Sequence, residues 1–288
     1  MSRSTSRGAR AKVADGLVQA LVWGTAGTVS AVFLCLVGDL LWHGLAGIDL
    51  DFLTQGVERT GRAGGIFPIL VSTFLILAVC LAVSIPIGLL TAILLSEFSR
   101  RNPTLSRLVG ASLDVLAGVP SIVFGLFGNA FFCIALGMGF SILSGGLTLS
   151  CMVLPIFIRS VELGLRAVPS DYRLAGAALG MSHTSMLLKI LLPAGAPGIA
   201  AGLMLGVGRA LAETAALMFT SGYADRMPSS LMDSGRALSL HIYDLTQVTG
   251  GRPNAYASGV VLVALLLVIN LLASWTVEHI VGGRVQRV

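Results

Sequence analysis

Six apolar runs constrain this chain more than any other feature. Residues 16–42, 66–95, 110–138, 145–165, 194–219 and 256–281 each meet the length of about 20 residues that a bilayer crossing requires. Lipid offers the backbone no hydrogen-bond partners, so runs of this length predict helices. The chain has 288 residues and is 55% hydrophobic and only 11% charged, against roughly 25% charged in an average soluble chain. The expectation is an all-α polytopic membrane protein with six transmembrane helices, not a globular enzyme. The second and third runs exceed the needed length and contain Pro86 and Pro120, so tilt or kinking must absorb the excess. The first run is too long for a signal-peptide core and has no clear cleavage site, so it reads as a retained span.

Basic residues set the expected orientation. Of the 19 Lys and Arg, thirteen fall in segments on one side, five on the other, and Arg209 lies within a span. The positive-inside rule then places both termini in the cytoplasm. The expected organisation is a basic N-terminal segment (1–15), a transmembrane domain (16–281) with a cytoplasmic loop at 162–193, and a cytoplasmic tail (282–288). The net charge of +5 is explained by topology and does not call for nucleic acid. The outer loops are 43–65 and 220–255. The second carries Leu238, Leu240, Ile242 and Tyr243, which suit a short interfacial helix. Either a docking surface for an outside partner or a plug on the outer face fits it.

Chemistry-bearing motifs are missing. There is no GxxxxGK[ST] phosphate loop, no HExxH and no GxSxG, so no ATPase or hydrolase site is expected in this chain. Cys35, Cys80, Cys133 and Cys151 lie in apolar runs without metal-site spacing and read as buried free thiols. No catalytic or metal-ligating residue is expected. His43, His183, His241 and His279 sit near span ends and are expected to be solvated.

Arg209 and Glu213 are the exception inside an apolar run. At four-residue spacing they share one helix face and can pair. A charge at that depth costs several kcal/mol, roughly 2.5–3.5 on insertion scales, and usually faces a pathway or a partner. The guanidinium binds oxyanions bidentately and stays protonated. The pair is therefore either a helix lock or part of an anion path. Pro120, within the third run and just before Ser121, bends its helix. It is either a plain kink or a cavity-lining break.

The loop between the fourth and fifth runs has its own pattern. Ser170 or Asp171 can cap a helix there. The small residues Ala175, Gly176 and Ala177 let another protein's groove close around it. Gly180 can end it in a left-handed turn. A second amphipathic helix over residues 182–192 is expected, with Pro193 opening the fifth span. A generic helical hairpin between spans also fits. The order Ala175 to Gly180, nine residues, Ile190, then Leu192-Pro193 resembles the coupling loop of ABC importer permeases. Leu174 stands where that family has Glu, and Gly176 where it usually has Ala. This puts a salt bridge from position 174 in doubt but not the helix-in-groove docking.

Further segments resemble the phosphate-importer branch of that family, PstA. They are Leu50 to Thr54 with Ala63 to Pro68, Leu116 to Leu126, Arg209 to Ala215 (with Ala212 where Gly is common), and Leu238 to Tyr243. The likeness spans about residues 16–281 and implies a type I, MetI-like permease fold in a bacterial inner membrane. It implies a transport subunit for inorganic phosphate, paired with a second, PstC-like permease subunit. It also implies a PstB-like ATPase dimer that binds the ATP and Mg, and an extracytoplasmic PstS-like phosphate-binding protein. Arg209, Glu213, Pro120 and Ser121 would line the substrate path. Ala175, Gly176, Ala177, Gly180, Ile190, Leu192 and Pro193 would couple to the ATPase. Another oxyanion (sulfate, molybdate or phosphonate) or the partner permease subunit fits the same features. An ATPase-independent secondary anion transporter is the alternative from another class; such proteins often show inverted repeats, and none is apparent here.

Overall fold

The computed structural model describes residues 4–98 and 103–285; the basic residues Arg3, Arg100, Arg101 and Arg287 lie outside them. Helix α1 (Ser4–Gly44) is followed by the short α2 (Leu50–Thr54). The strands β1 (Val57–Glu58) and β2 (Ala63–Gly64) pair antiparallel, Val57 opposite Gly64. Then come α3 (Phe67–Ile93), which continues as a π-helical turn over Leu94–Phe98, and α4 (Pro103–Ala117). Helix α5 (Ser121–Gly128) also runs on into a π turn, Asn129–Ala135, before α6 (Ile142–Arg166) and α7 (Ser170–Ala178). The short α8 (His183–Met186) and α9 (Leu192–Ala194) precede α10 (Ala196–Ala212), α11 (Ala215–Met218), α12 (Leu238–Gln247) and α13 (Arg252–Val285).

The core is built around α6, which packs on α3 and α10. Buried Ile76, Leu77, Leu149, Met152, Phe157, Val161, Val207 and Leu211 join these three helices. By contrast α1 is exposed over nearly all of residues 15–43, with Leu21, Trp23, Phe33 and Leu36 facing outward. In a bilayer such a surface costs nothing, because lipid tails replace the missing core. Cys80 and Cys133 are buried, Cys151 is half-buried and all four cysteines are free, but Cys35 on α1 is exposed rather than buried.

Among the described residues four helices are long and apolar enough to cross a membrane unbroken, and two bent helix pairs bring the number to six where each pair is one span. The third span is not continuous: its axis turns by 100° between α4 and α5. Pro120 lacks an N–H, and its ring drives Val119 out of helical geometry. Helix α4 closes on tight bonds from Gly118 N to Val115 O and from Val119 N to Leu116 O. The fifth span bends by 64° at Gly195. Two prolines stand in first turns around this bend, Pro193 in α9 and Pro197 in α10, where a missing N–H costs no helical bond.

At the start of α3, Leu238 N donates to Thr73 Oγ1 and anchors α12 across the bundle. The expected helix at 238–243 therefore forms, but Leu238 and Leu240 are fully buried and only Tyr243 is well exposed. Its apolar residues close the bundle rather than present a docking surface. The β1–β2 hairpin packs on the same end, with Asn254 Nδ2 donating to Gly61 O at 2.7 Å.

Candidate functional site

The helices that follow two breaks pack together in the interior. Helix α5, which follows the break at Pro120, packs against α11, which follows a second break at Glu213–Thr214. Asn129 Nδ2 donates to Phe219 O at 2.8 Å across this contact. Pro120 itself is exposed and Ser121 half-buried, and no hydrogen bond joins either to Arg209 or Glu213 among the described residues.

Arg209 and Glu213 do not form the expected pair. Helix α10 ends at Ala212, and Glu213 is extended at φ −75°, ψ 128°. The four-residue helical spacing is thereby lost, and no ion pair joins the two among the described residues. Glu213 instead serves the broken backbone. Its Oε1 accepts from Ala216 N at 3.1 Å, and its carbonyl accepts from Ser239 Oγ at 2.5 Å. Arg209 is half-buried, and its Nε is enclosed with no hydrogen-bond partner. A buried donor left unpaired costs about 1–3 kcal/mol. Such a donor on a charged side chain is a group ready to receive an acceptor, and an anionic one is favoured by the charge.

The other feature lies at the far end of α6. Helix α7 stands out from the bundle with Tyr172, Leu174 and Leu179 exposed. It starts directly after Pro169, so neither Ser170 nor Asp171 caps it. The first-turn N–H groups of α7 are therefore without a side-chain cap. Its end follows the expected pattern: Gly180 has φ +66°, Gly180 N donates to Ala177 O, and Met181 N donates to Gly176 O. This pair of bonds is a Schellman motif. Ser182 caps the next helix through Ser185 N at 3.2 Å. Ala175 and Ala177 are exposed, whereas Gly176 is buried and packs on Met186 and Ile190. Val168, Met186 and Leu191 form a small core beneath α7, joined by Ile190. Leu192 and Pro193 continue that helix towards the bend at Gly195. The structure thus brings Gly176 and Ile190 together and leaves the alanines facing outward.

Charged residues tie this end of the bundle. Arg159 bonds Asp114 at 2.8 Å, Glu162 at 3.0 Å and the Gly110 carbonyl at 2.8 Å, so it fastens α4 to α6. Arg166 meets the other oxygen of Glu162 at 2.8 Å. Arg173 on α7 meets Glu97 at 2.6 Å. Arg159 and Glu162 are three residues apart on one face of α6, a spacing at which helical side chains meet. Asp114 and Glu97 carried no local signal, because they are 45 and 76 residues from their partners.

At the other end, Arg236 is almost fully buried. It bonds Asp244 at 2.9 Å and donates to the Tyr223 carbonyl through both Nε and Nη2. His241 beside it is also buried, contrary to the expectation of solvated histidines. Burial first, and the positive charge of Arg236 second, hold the imidazole pKa down to about 4.

Residues 84–284 match the family described as "Binding-protein-dependent transport system inner membrane component". The chain belongs to this family. It is 30% identical over 280 residues to the probable ABC transporter permease protein YqgI of Bacillus subtilis (strain 168), covering 92% of this chain and 95% of that one. It is 32% identical over 224 residues to phosphate transport system permease protein PstA 1 of Mycobacterium tuberculosis (strain ATCC 25618 / H37Rv), covering 76% and 72%. Among solved structures, a bacterial ABC transporter involved in alginate import matches with TM-score 0.64 at 13% identity, covering 93% and 99%. The MetNI methionine ABC transporter in an inward-facing form matches with TM-score 0.58 at 19% identity, covering 75% and 94%. The inner-membrane component therefore has the fold of ABC importer permeases, and its relatives are transporter subunits rather than enzymes.

Proposed function

We propose that this chain is a permease subunit of an ATP-driven importer of inorganic phosphate, with both termini in the cytoplasm. The observation that carries the reading is Arg209, a cationic side chain with an unsatisfied enclosed Nε in the interior of a chain related to phosphate permeases. A phosphate anion passing Arg209 gains charge-assisted hydrogen bonds. Glu213 does not neutralise Arg209 directly; it holds the α10–α11 break open. Pro120 and Ser121, at the other break, complete the proposed path. Irregular backbone at membrane depth is tolerated where it lines such a path.

Helix α7 is the natural seat of a cytoplasmic ATPase dimer, which binds the ATP and Mg. Its exposed Leu174, Ala175, Ala177 and Leu179 give an apolar face, so docking does not require the Glu found at position 174 in related permeases. Gly180, Ile190, Leu192 and Pro193 fix the angle at which that face is presented. A second permease subunit completes the pathway, and an extracytoplasmic binding protein delivers phosphate to the α12 end. ATP drives the cycle through its differential affinity for the two states of the complex.

The test is uptake of radiolabelled phosphate at micromolar concentration in cells with and without this chain, in a background lacking other phosphate importers. Excess sulfate, molybdate or phosphonate serves as competitor. Loss of uptake without the chain, insensitivity to competitors and loss again in Arg209→Ala support the reading. Unchanged uptake on deletion overturns the substrate assignment. Uptake that follows an ion gradient and survives Gly180→Arg overturns ATP coupling.

A further inference from the structure

Among the described residues, helix α7 is tied to the bundle by one ion pair with a buried carboxylate, besides its flanking backbone and the small core beneath it. Arg173 Nη2 lies 2.6 Å from Glu97 Oε1, and Arg173 Nε lies 3.3 Å from Glu97 Oε2. This is a bidentate fork, the stiffest geometry available to a guanidinium and a carboxylate. The Glu97 side chain is only 5% exposed. Arg173 also donates to the carbonyls of Leu165 and Val168 at 3.2 and 3.1 Å, at the end of α6 and the link that follows it. Arg166 reaches the carbonyl of Leu95, so two arginines grip the final π turn of α3.

The geometry of α3 gives this grip a consequence. Glu97 sits at one end of it, and Thr73, which receives the backbone N–H of Leu238 on α12, sits near the other. The 24 residue steps from Thr73 to Glu97 span about 36 Å at helical rise. Along the way α3 packs on α6 throughout the core. A displacement of α7 that keeps the fork intact must move the end of α3. The Pro169 link and the Gly180 turn would otherwise let α7 swing on its own.

We propose that Arg173 and Glu97 are positioning residues that form a strut, carrying motion of the ATPase-docking helix into α3 and from there across the bundle. This rests on the reading of α7 as that docking helix. The pair touches no substrate and performs no chemistry. Its role is to make α7 and α3 move as one body.

The experiment uses the full complex of both permease subunits, ATPase and binding protein, reconstituted in liposomes. Radiolabelled phosphate uptake and ATP hydrolysis are measured in the same preparation for Glu97→Gln, Arg173→Gln and the double variant. The expected result is an uptake loss of about tenfold in each single variant, with the ATPase still co-purifying at wild-type stoichiometry. The ATP consumed per phosphate imported rises, and the double variant is no worse than the worse single one, as for residues acting as a unit. Uptake within twofold of wild type in either single variant overturns the strut. So do losses that multiply in the double variant, or a loss of assembled complex with an unchanged ATP-to-phosphate ratio. If the Gln variants do not accumulate, Arg173→Lys keeps the charge and removes the fork. A raised ATP-to-phosphate ratio there supports the strut, and a wild-type ratio overturns it. Cross-linking of Leu179→Cys to the ATPase tests the docking reading separately. No cross-link overturns that reading and the strut with it, whereas a cross-link together with a wild-type ratio in Arg173→Gln overturns the strut alone.

Discussion

Gly164 and Gly198 bring the backbones of α6 and α10 into direct contact: a β-carbon on Gly164 would stand 2.6 Å from the Cα of Gly198. Ser160 Oγ donates to the Gly198 carbonyl beside this crossing at 3.1 Å. Small residues permit such approach where lipid supplies no hydrophobic drive between helices.

Gly164→Ala and Gly198→Ala therefore each force α6 and α10 apart. Each is expected to lower stability by about 1–3 kcal/mol, the usual cost of overpacking. Thermal denaturation of the detergent-purified protein measures this. An unchanged midpoint in both variants would show that the crossing is not tight.

The network at Arg159 predicts a dependence on partner. Arg159→Ala removes bonds to Asp114, Glu162 and the Gly110 carbonyl. It leaves the nearly buried Glu162 with the half-exposed Arg166 alone. A loss of about 1–3 kcal/mol is expected, chiefly from the under-compensated buried carboxylate. The same substitution in a Glu162→Gln background should cost clearly less, which a thermal double-mutant cycle reads directly.

His241 predicts a pH dependence of defined sign. Its folded pKa is depressed from 6.5 to about 4 by burial and then by Arg236. The unfolded chain therefore takes up the proton first as pH falls. Stability is complete above about pH 6.5, declines between there and about pH 4, and is flat below. From pH 7 to pH 5 the loss is about 2 kcal/mol. Thermal midpoints of wild type and His241→Gln across this range check it, the variant showing a shallower decline.

At Gly180, backbone and docking effects separate. The residue holds φ +66°, and a β-carbon there would meet nothing within 4 Å. Gly180→Ala should cost about 1 kcal/mol of local backbone strain and lower uptake only modestly. Gly180→Arg adds a long charged side chain at the proposed docking edge and should release the ATPase from the purified complex. Retention of the ATPase in both variants would place the docking surface elsewhere.

Several of these features could be read along the chain. The Gly180 turn was legible because a Schellman motif closes within six residues, and the six apolar runs because bilayer thickness fixes a length. The Arg159–Glu162 pair was legible from helical spacing. The relation of Arg209 to Glu213 was not: their spacing implied one helix face, yet α10 stops at Ala212. That stop is stabilised by Ser239, 26 residues further on, which donates to the Glu213 carbonyl.

The sequence by itself determined that this chain is a helical membrane protein of several spans with a helical segment that stops at Gly180, because hydropathy, proline and glycine act locally. Tertiary structure alone decided where the spans break, that Arg209 keeps an unpaired Nε, and that Arg173 finds Glu97. Those outcomes depend on groups far apart in the chain, brought together only when α6 draws α3 and α10 onto itself.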